Sequence, residues 1–263
     1  MARFTTLYSG SSGNSAVLEE NGRYLLVDIG KSCRKTTQAL DSLGLAAEQL
    51  QGILITHEHI DHVGGLKVFL KKNHVPVYAS PATLDMLAVQ DRLPPAAQLC
   101  PVDGSVQEVG DFGVQGFATS HDAIDCHGYR ITAPSGKTMA LATDLGYLSE
   151  TVHKALSGAS LVALESNYDP FMLRTGPYPP ALKVRIAGQR GHLSNDECAG
   201  KVLELIQEGC QKFCLCHLSH ENNTPAHALG TVKNLLVSAG IRPGEDGIIQ
   251  AAKREEISNW MDF

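Results

Sequence analysis

Ile53-Leu54-Ile55-Thr56-His57-Glu58-His59-Ile60-Asp61-His62 runs from four apolar or β-branched residues straight into three imidazoles and two carboxylates. The apolar half reads as a buried strand, and the polar half as the loop that leaves its end. Imidazole nitrogen and carboxylate oxygen are the donors that divalent ions such as Zn²⁺, Mn²⁺ or Fe²⁺ accept. His57 and His59 are two residues apart, so in extended chain they share a side while Glu58 points away. Asp61 and His62 fall where the chain turns into a helix predicted from Gly64, Gly65 and Leu66 to Lys72. One pair of donors is thereby offered to one ion and the other pair to a second. A solvated histidine-rich loop is the competing reading, and it leaves this density of donors at a strand end unexplained.

Upstream, Phe4 to Tyr8, Ala16 to Glu19 and Tyr24 to Asp28 read as strands. The loop Ser9-Gly10-Ser11-Ser12-Gly13-Asn14-Ser15 separates the first two, and an Asn21-Gly22 hairpin turn the last two. A helix is predicted over Cys33 to Leu43. Val75 to Tyr78 reads as a short strand, followed by a helix capped by Ser80-Pro81 and running to Val89. Ser105 to Thr143 is strand-rich, with a turn at Pro134-Ser135-Gly136. Beyond it the expectation is a helix at Ser149 to Leu156, a strand at Leu161 to Glu165 and an irregular Pro-rich stretch through Pro180. Ser194-x-x-Glu197 is a capping box for a helix to Glu208. A strand at Phe213 to Cys216, a helix from Thr224-Pro225 to Ser238 and a strand at Ile248 to Ala251 complete the pass. Hairpins early and strand–helix alternation later predict an α/β fold, a mixed sheet pair with helices outside. With no low-complexity linker and no clear internal repeat, residues 1–263 read as one domain.

The composition fits an ordinary globular enzyme: 263 residues, 43% of them hydrophobic, with a formal net charge of −6. That charge argues against coating nucleic acid nonspecifically, though a local basic cleft and bound cations escape the count. No apolar run approaches the ~20 residues of a membrane span, so no membrane partner is expected. Met1 to Ser9 lacks a signal-type apolar stretch, and the seven irregularly spaced cysteines read as reduced thiols, so a cytoplasmic location is expected. Cys214-x-Cys216 lies in a strand-like run and reads as buried thiols rather than a metal pair.

Four donors cannot complete two coordination spheres. Three further polar residues terminate apolar runs: His121 after Gly116 to Ser120, Asp144 after Thr138 to Thr143, and His217 after Phe213 to Cys216. Asp144 is placed to supply the carboxylate that bridges two cations. Asp28, ending Leu25-Leu26-Val27, reads as an acceptor that orients a ligand histidine.

His57-x-His59-x-Asp61-His62 with Asp28, His121, Asp144 and His217, in that order, resembles the five-motif signature of the metallo-β-lactamase fold superfamily. The resemblance implies an αβ/βα sandwich of two mixed β-sheets flanked by helices, with two divalent ions, zinc or manganese, at one edge. His57, His59 and His121 would hold the first, and Asp61, His62 and His217 the second, with Asp144 bridging. Retention of His59 sets the chain apart from flavodiiron-type relatives, and Asp144 stands where the β-lactamases usually carry cysteine. The Ser9–Ser15 loop, Ser120-His121-Asp122-Ala123, Gly128-Tyr129, Thr143-Asp144-Leu145-Gly146-Tyr147, Glu165-Ser166-Asn167, Gly191-His192-Leu193-Ser194-Asn195 and His217-Leu218-Ser219-x-Glu221-Asn222-Asn223 are similar to the bacterial YycJ-like (WalJ) group. That resemblance implies a single-domain exonuclease with DNA as its partner, working 5′ to 3′, linked to DNA repair. The long arm and inserted domain of the RNA-processing branches are missing.

His192 matches the histidine that contacts the scissile phosphate in phosphodiesterase relatives. It also sits just before a helix N-terminus, where backbone N–H groups and an imidazolium meet an anion. Lys183, Arg185 and Arg190 approach the same loop as an anion funnel. Ser11, Ser12 and Asn14 offer hydroxyl, amide and backbone donors to a phosphate. In the mechanism so predicted, a water activated between two cations attacks phosphorus. Asp61 orients it or takes its proton, and His192 stabilises the transition state or protonates the leaving oxygen. The alternatives are a small-molecule hydrolase of the same fold, cleaving a cyclic phosphodiester, thioester or lactone, and a non-catalytic metal-stabilised regulator.

Overall fold

The structure is a computed structural model that describes residues 1–263. Its first half forms strands β1 (Arg3–Tyr8), β2 (Ser15–Glu20), β3 (Arg23–Val27), β4 (Leu50–Leu54), β5 (Val77–Ala79) and β6 (Leu99–Pro101). The second half forms β7 (Gln107–Val109), β8 (Phe112–Ala118), β9 (His127–Thr132), β10 (Thr138–Ala142), β11 (Leu161–Glu165), β12 (Lys212–Cys216) and β13 (Ile248–Ala251). A final strand, β14 (Met261–Asp262), returns to pair with β1. Two seven-stranded sheets result, in the orders β14-β1-β2-β3-β4-β5-β6 and β13-β12-β11-β10-β9-β8-β7.

Both sheets follow one plan. An antiparallel meander comes first, β1-β2-β3 in one and β7-β8-β9-β10 in the other, and parallel strands follow. The repeat that the residues do not display therefore exists in the topology. The inner faces close on a shared core that includes Phe4, Leu18, Leu25, Phe112, Tyr129 and Ile131. Burying each such side chain contributes about 1.5–3 kcal/mol.

The outer face of the first sheet is covered by α1 (Cys33–Ser42), the short α2 (Ile60–Val63), α3 (Leu66–Lys72) and α4 (Pro81–Val89). The second sheet is covered by α5 (Glu150–Leu156) and, further along the chain, α8 (Asn195–Gln207) and α9 (Pro225–Ser238). Between them lie α6 (Pro170–Thr175) and α7 (Pro180–Ile186). Helix α6 corrects the expectation of an irregular stretch through Pro180, and α7 begins where that stretch was to end. In each helix a proline occupies the first turn, where its missing N–H is no loss and its fixed φ favours the helix. Strands β6 and β14 were not expected either; three and two residues are too short to show alternation. The capping box at Ser194 and Glu197 forms as read. No helix is long and apolar enough to cross a membrane.

Candidate metal centre

Strands β3, β4, β10, β11 and β12 end at one edge of the sandwich, and each hands over to a polar residue there. Three of these residues leave their strand in the left-handed region: Asp28 at φ 61°, Asp144 at φ 56° and His217 at φ 54°. A left-handed residue costs roughly 1–2 kcal/mol. Here it turns the chain sharply enough to swing the side chain across the strand end, the kind of strain that collects at functional sites.

The donors meet in four overlapping groups, His57/His59/His121, His57/His62/Asp144, Asp61/His62/His217 and Asp144/Glu165/His192/His217, with the donor atoms of each group within 4.8 Å of one another. Four of the histidines are held by their Nδ1 atoms. His62 Nδ1 donates to Asp28 Oδ2 at 2.7 Å, and His121 Nδ1 to the Gly191 carbonyl at 3.1 Å. His217 Nδ1 donates to Glu165 Oε1 at 2.7 Å. The Thr56 hydroxyl spends its proton on Asp28 Oδ2, so it accepts from His57 Nδ1 at 3.0 Å. With Nδ1 holding the proton of the neutral ring, Nε2 is the nitrogen left to face a metal, and this is how proteins orient metal-binding imidazoles. His57 Nε2, His217 Nε2 and Asp144 Oδ2 are buried with no hydrogen-bond partner. Orphaned buried donors of this kind are what a cation would satisfy. The residues fit a dinuclear site of divalent ions.

Electrostatics points the same way. Burial opposes charge on His62, but the carboxylates of Asp144, Asp28 and Asp61 outweigh it and lift the imidazole to about 9. His217 is likewise raised against its burial, by Asp144, Asp61 and Glu165. Asp61 is held well below the usual carboxylate range: burial works against this, and His62 and His217 prevail. His57 is pushed far down, by burial first and then by repulsion from the other imidazoles. The cluster gathers anionic oxygen and holds protons where positive charge is needed.

Glu165 is the residue whose importance was missed. It is fully buried at the end of β11. Its Oε1 accepts from His217 Nδ1 and, at 2.8 Å, from His192 Nδ1. Its Oε2 accepts from the backbone of Leu145 and Leu193, both at 3.1 Å. Burial opposes charge on His192, and Glu165 overcomes it, so the imidazole is more basic than usual. A carboxylate closing the apolar run Leu161–Leu164 was the available signal.

The predicted phosphate contacts divide. Ser11 and Arg185 line the cavity above the cluster, with Arg185 also paired to Asp122 through Nε at 2.6 Å. Ser12, Asn14 and Lys183 are engaged elsewhere in this structure. Ser12 Oγ donates to Glu255 at 2.5 Å and accepts from Lys31. Asn14 is buried, with Oδ1 bonded to Gly10 N and Nδ2 3.0 Å from His62 Nε2. Lys183 Nζ donates to the carbonyls of Arg174 and Gly176 at 2.8 Å, closing the end of α6 instead of facing the cavity. Arg190 is likewise spent on the His121 and Ala123 carbonyls. The Ser9–Ser15 loop therefore acts as a brace: Ser9 Oγ accepts from His217 N at 2.8 Å, and Asn14 N donates to the Asp61 carbonyl at 2.7 Å. Gly30 allows this closeness, since a Cβ there would collide with the Asp61 carbonyl oxygen.

Residues 23–217 match the family model described as "Beta-lactamase superfamily domain". The chain is 35% identical over 243 residues to the Exodeoxyribonuclease YycJ of Bacillus anthracis, covering 92% of each chain. It is 36% identical over 253 residues to the Exodeoxyribonuclease WalJ of Streptococcus pneumoniae, covering 93% of this chain and 91% of the relative. Among solved structures, the metallo-β-lactamase fold protein YhfI of Bacillus subtilis superposes with a TM-score of 0.72 at 18% identity, over 98% of both chains.

Proposed function

This chain belongs to the metallo-β-lactamase superfamily and is a metal-dependent hydrolase, and from that premise we propose that it is a DNA exonuclease working with two divalent ions. His57, His59 and His121 would hold one ion, Asp61, His62 and His217 the other, and Asp144 both; the nitrogen and oxygen donors suit zinc and manganese alike. Bound there, the two ions supply a water acidic enough to ionise near neutral pH and a positive field for phosphate oxygens.

The side chains divide the remaining work. Asp61 is the more solvent-open carboxylate of the ligand set, at 21% against 3% for Asp144, so it reaches the cavity, where it orients the attacking water or takes its proton. Asp28 and Glu165 fix His62 and His217 in the tautomer that binds metal. His192 carries its second proton on Nε2 and delivers it to the leaving oxygen. Ser11 and Arg185 meet the phosphate at the rim. Residues 1–263 act as a single domain, and the family resemblance supports 5′ to 3′ polarity. The exodeoxyribonuclease names of the relatives support DNA as substrate.

His192 is the observation that carries this reading: an imidazole beyond the set that two ions require, held by a buried carboxylate at the cluster's rim. The test is end-labelled single- and double-stranded DNA with Mn²⁺ or Zn²⁺. Metal-dependent loss of nucleotides from one end is expected, abolished in Asp61→Ala. In His192→Ala, turnover falls far more than metal content. Metal-loaded protein that cuts no DNA would overturn the proposal.

A further inference from the structure

Helix α7 buries none of its residues fully, yet it carries an apolar stripe. Tyr178, just before it, and Leu182 and Ile186 within it are spaced by four and share one face. That face does not pack into a core. It forms one wall of the cavity above the donor cluster, and its three side chains are the cavity's only apolar lining. The opposite wall is made of the histidines and carboxylates of the metal centre. With ions held by those residues, a ligand that satisfies both walls would be apolar on one side and anionic on the other.

The cavity holds about 260 Å³ and opens to solvent on one side, so a nucleotide-sized ligand can enter it. The wall is also fixed in place. Ser120 Oγ donates to the Gln189 carbonyl at 2.5 Å and His192 N to the Ile186 carbonyl at 2.8 Å, tying the end of α7 to the loops of the centre. Lys183 ties it to α6, and Arg185 ties it to Asp122 beside His121. With ions held by the donor cluster, this rigid apolar surface would face positive charge, an arrangement pre-organised for binding.

We propose that Tyr178, Leu182 and Ile186 seat the base and sugar of a single unpaired terminal nucleotide, its phosphate lying against the donor cluster. The inference rests on the phosphodiesterase reading above and names its specificity-determining surface. A duplex end must then fray before it enters, so single strands are degraded faster than blunt duplexes.

The test is calorimetric titration of Mn²⁺-loaded protein with inorganic phosphate and with dTMP. dTMP is expected to bind at least about tenfold more tightly than phosphate, which corresponds to ~1.4 kcal/mol. Tyr178→Ala and Leu182→Ala each remove about three- to tenfold of dTMP affinity and leave phosphate within about twofold. Leu182→Trp, which fills the space, does the same, and retained phosphate binding shows that the centre is intact. Equal affinities, failure of both ligands to bind, or variants that weaken both ligands alike would overturn the proposal. The two readings separate cleanly. DNA cleavage with equal affinities sinks only the nucleotide seat, and tight dTMP binding without DNA cleavage sinks only the exonuclease.

Discussion

Replacing Glu165 with glutamine keeps the side chain's shape and exchanges one oxygen for an NH₂ group. Glu165 has no solvent to turn to, and all four of its partners are donors: His192 Nδ1, His217 Nδ1, Leu145 N and Leu193 N. Whichever way the amide turns, its NH₂ faces two N–H groups. Toward Leu145 and Leu193, it strands two buried backbone donors. Toward the histidines, it forces them to shed their Nδ1 protons and carry them on Nε2, the atom that faces the metal centre. Losing two bonds to a charged acceptor at about 1.5 kcal/mol each gives a destabilisation of about 3 kcal/mol in the metal-free protein. For a chain of this size that is a fall in Tm of roughly 6–12 °C. Loss of an outer partner typically weakens metal binding by about 10–100-fold. Thermal melts with and without Zn²⁺ measure the first effect, and competition with a chromogenic chelator the second. An unchanged Tm together with zinc affinity within about twofold of wild type would refute the role given to Glu165.

Asp28→Asn tests the matching acceptor behind the other histidine of the same ion, His62. Asparagine tolerates the positive φ at this position, so the backbone is not perturbed, yet His62 or Thr56 must lose a bond. Zinc affinity should fall by about 10–100-fold, and equal affinity in a chelator competition would count against it. Gly30→Ala drives a methyl group into the Asp61 carbonyl oxygen. It should cost more than about 4 kcal/mol, seen as loss of soluble folded protein; a normal melt would show that the loops can part. The pH dependence follows from His62, whose folded value of about 9 lies above its unfolded value near 6.5. Its contribution to the stability of metal-free protein is therefore full below about pH 6.5 and is lost as pH rises through about 9. An incoming ion must displace that proton, so metal affinity rises over the same window. Calorimetry in buffers of different ionisation enthalpy should record proton release, and its absence would contradict the assignment.

Strand–helix order was legible because period and punctuation are local: Asn21-Gly22, Ser80-Pro81 and the Ser194–Glu197 box each act within four residues. The short helix at Pro170–Thr175 was not, since proline reads first as a breaker and only its place in the opening turn makes it a helix former.

The donor set is a property of residue type and strand-end placement, so the chain alone determined which side chains could serve metal ions. Where each polar side chain points depends on residues that arrive from far along the chain, and only the tertiary structure decided that. Ser9 meets His217 across 208 positions, and Glu165 meets His217 across 52. Ser12, Asn14 and Lys183 carry groups suited to phosphate, and each is claimed by a nearer acceptor or donor once the sheets close. Glu165, at the end of an apolar strand, becomes the pivot of the site because burial leaves its charge no other partners than two imidazoles and two backbone amides.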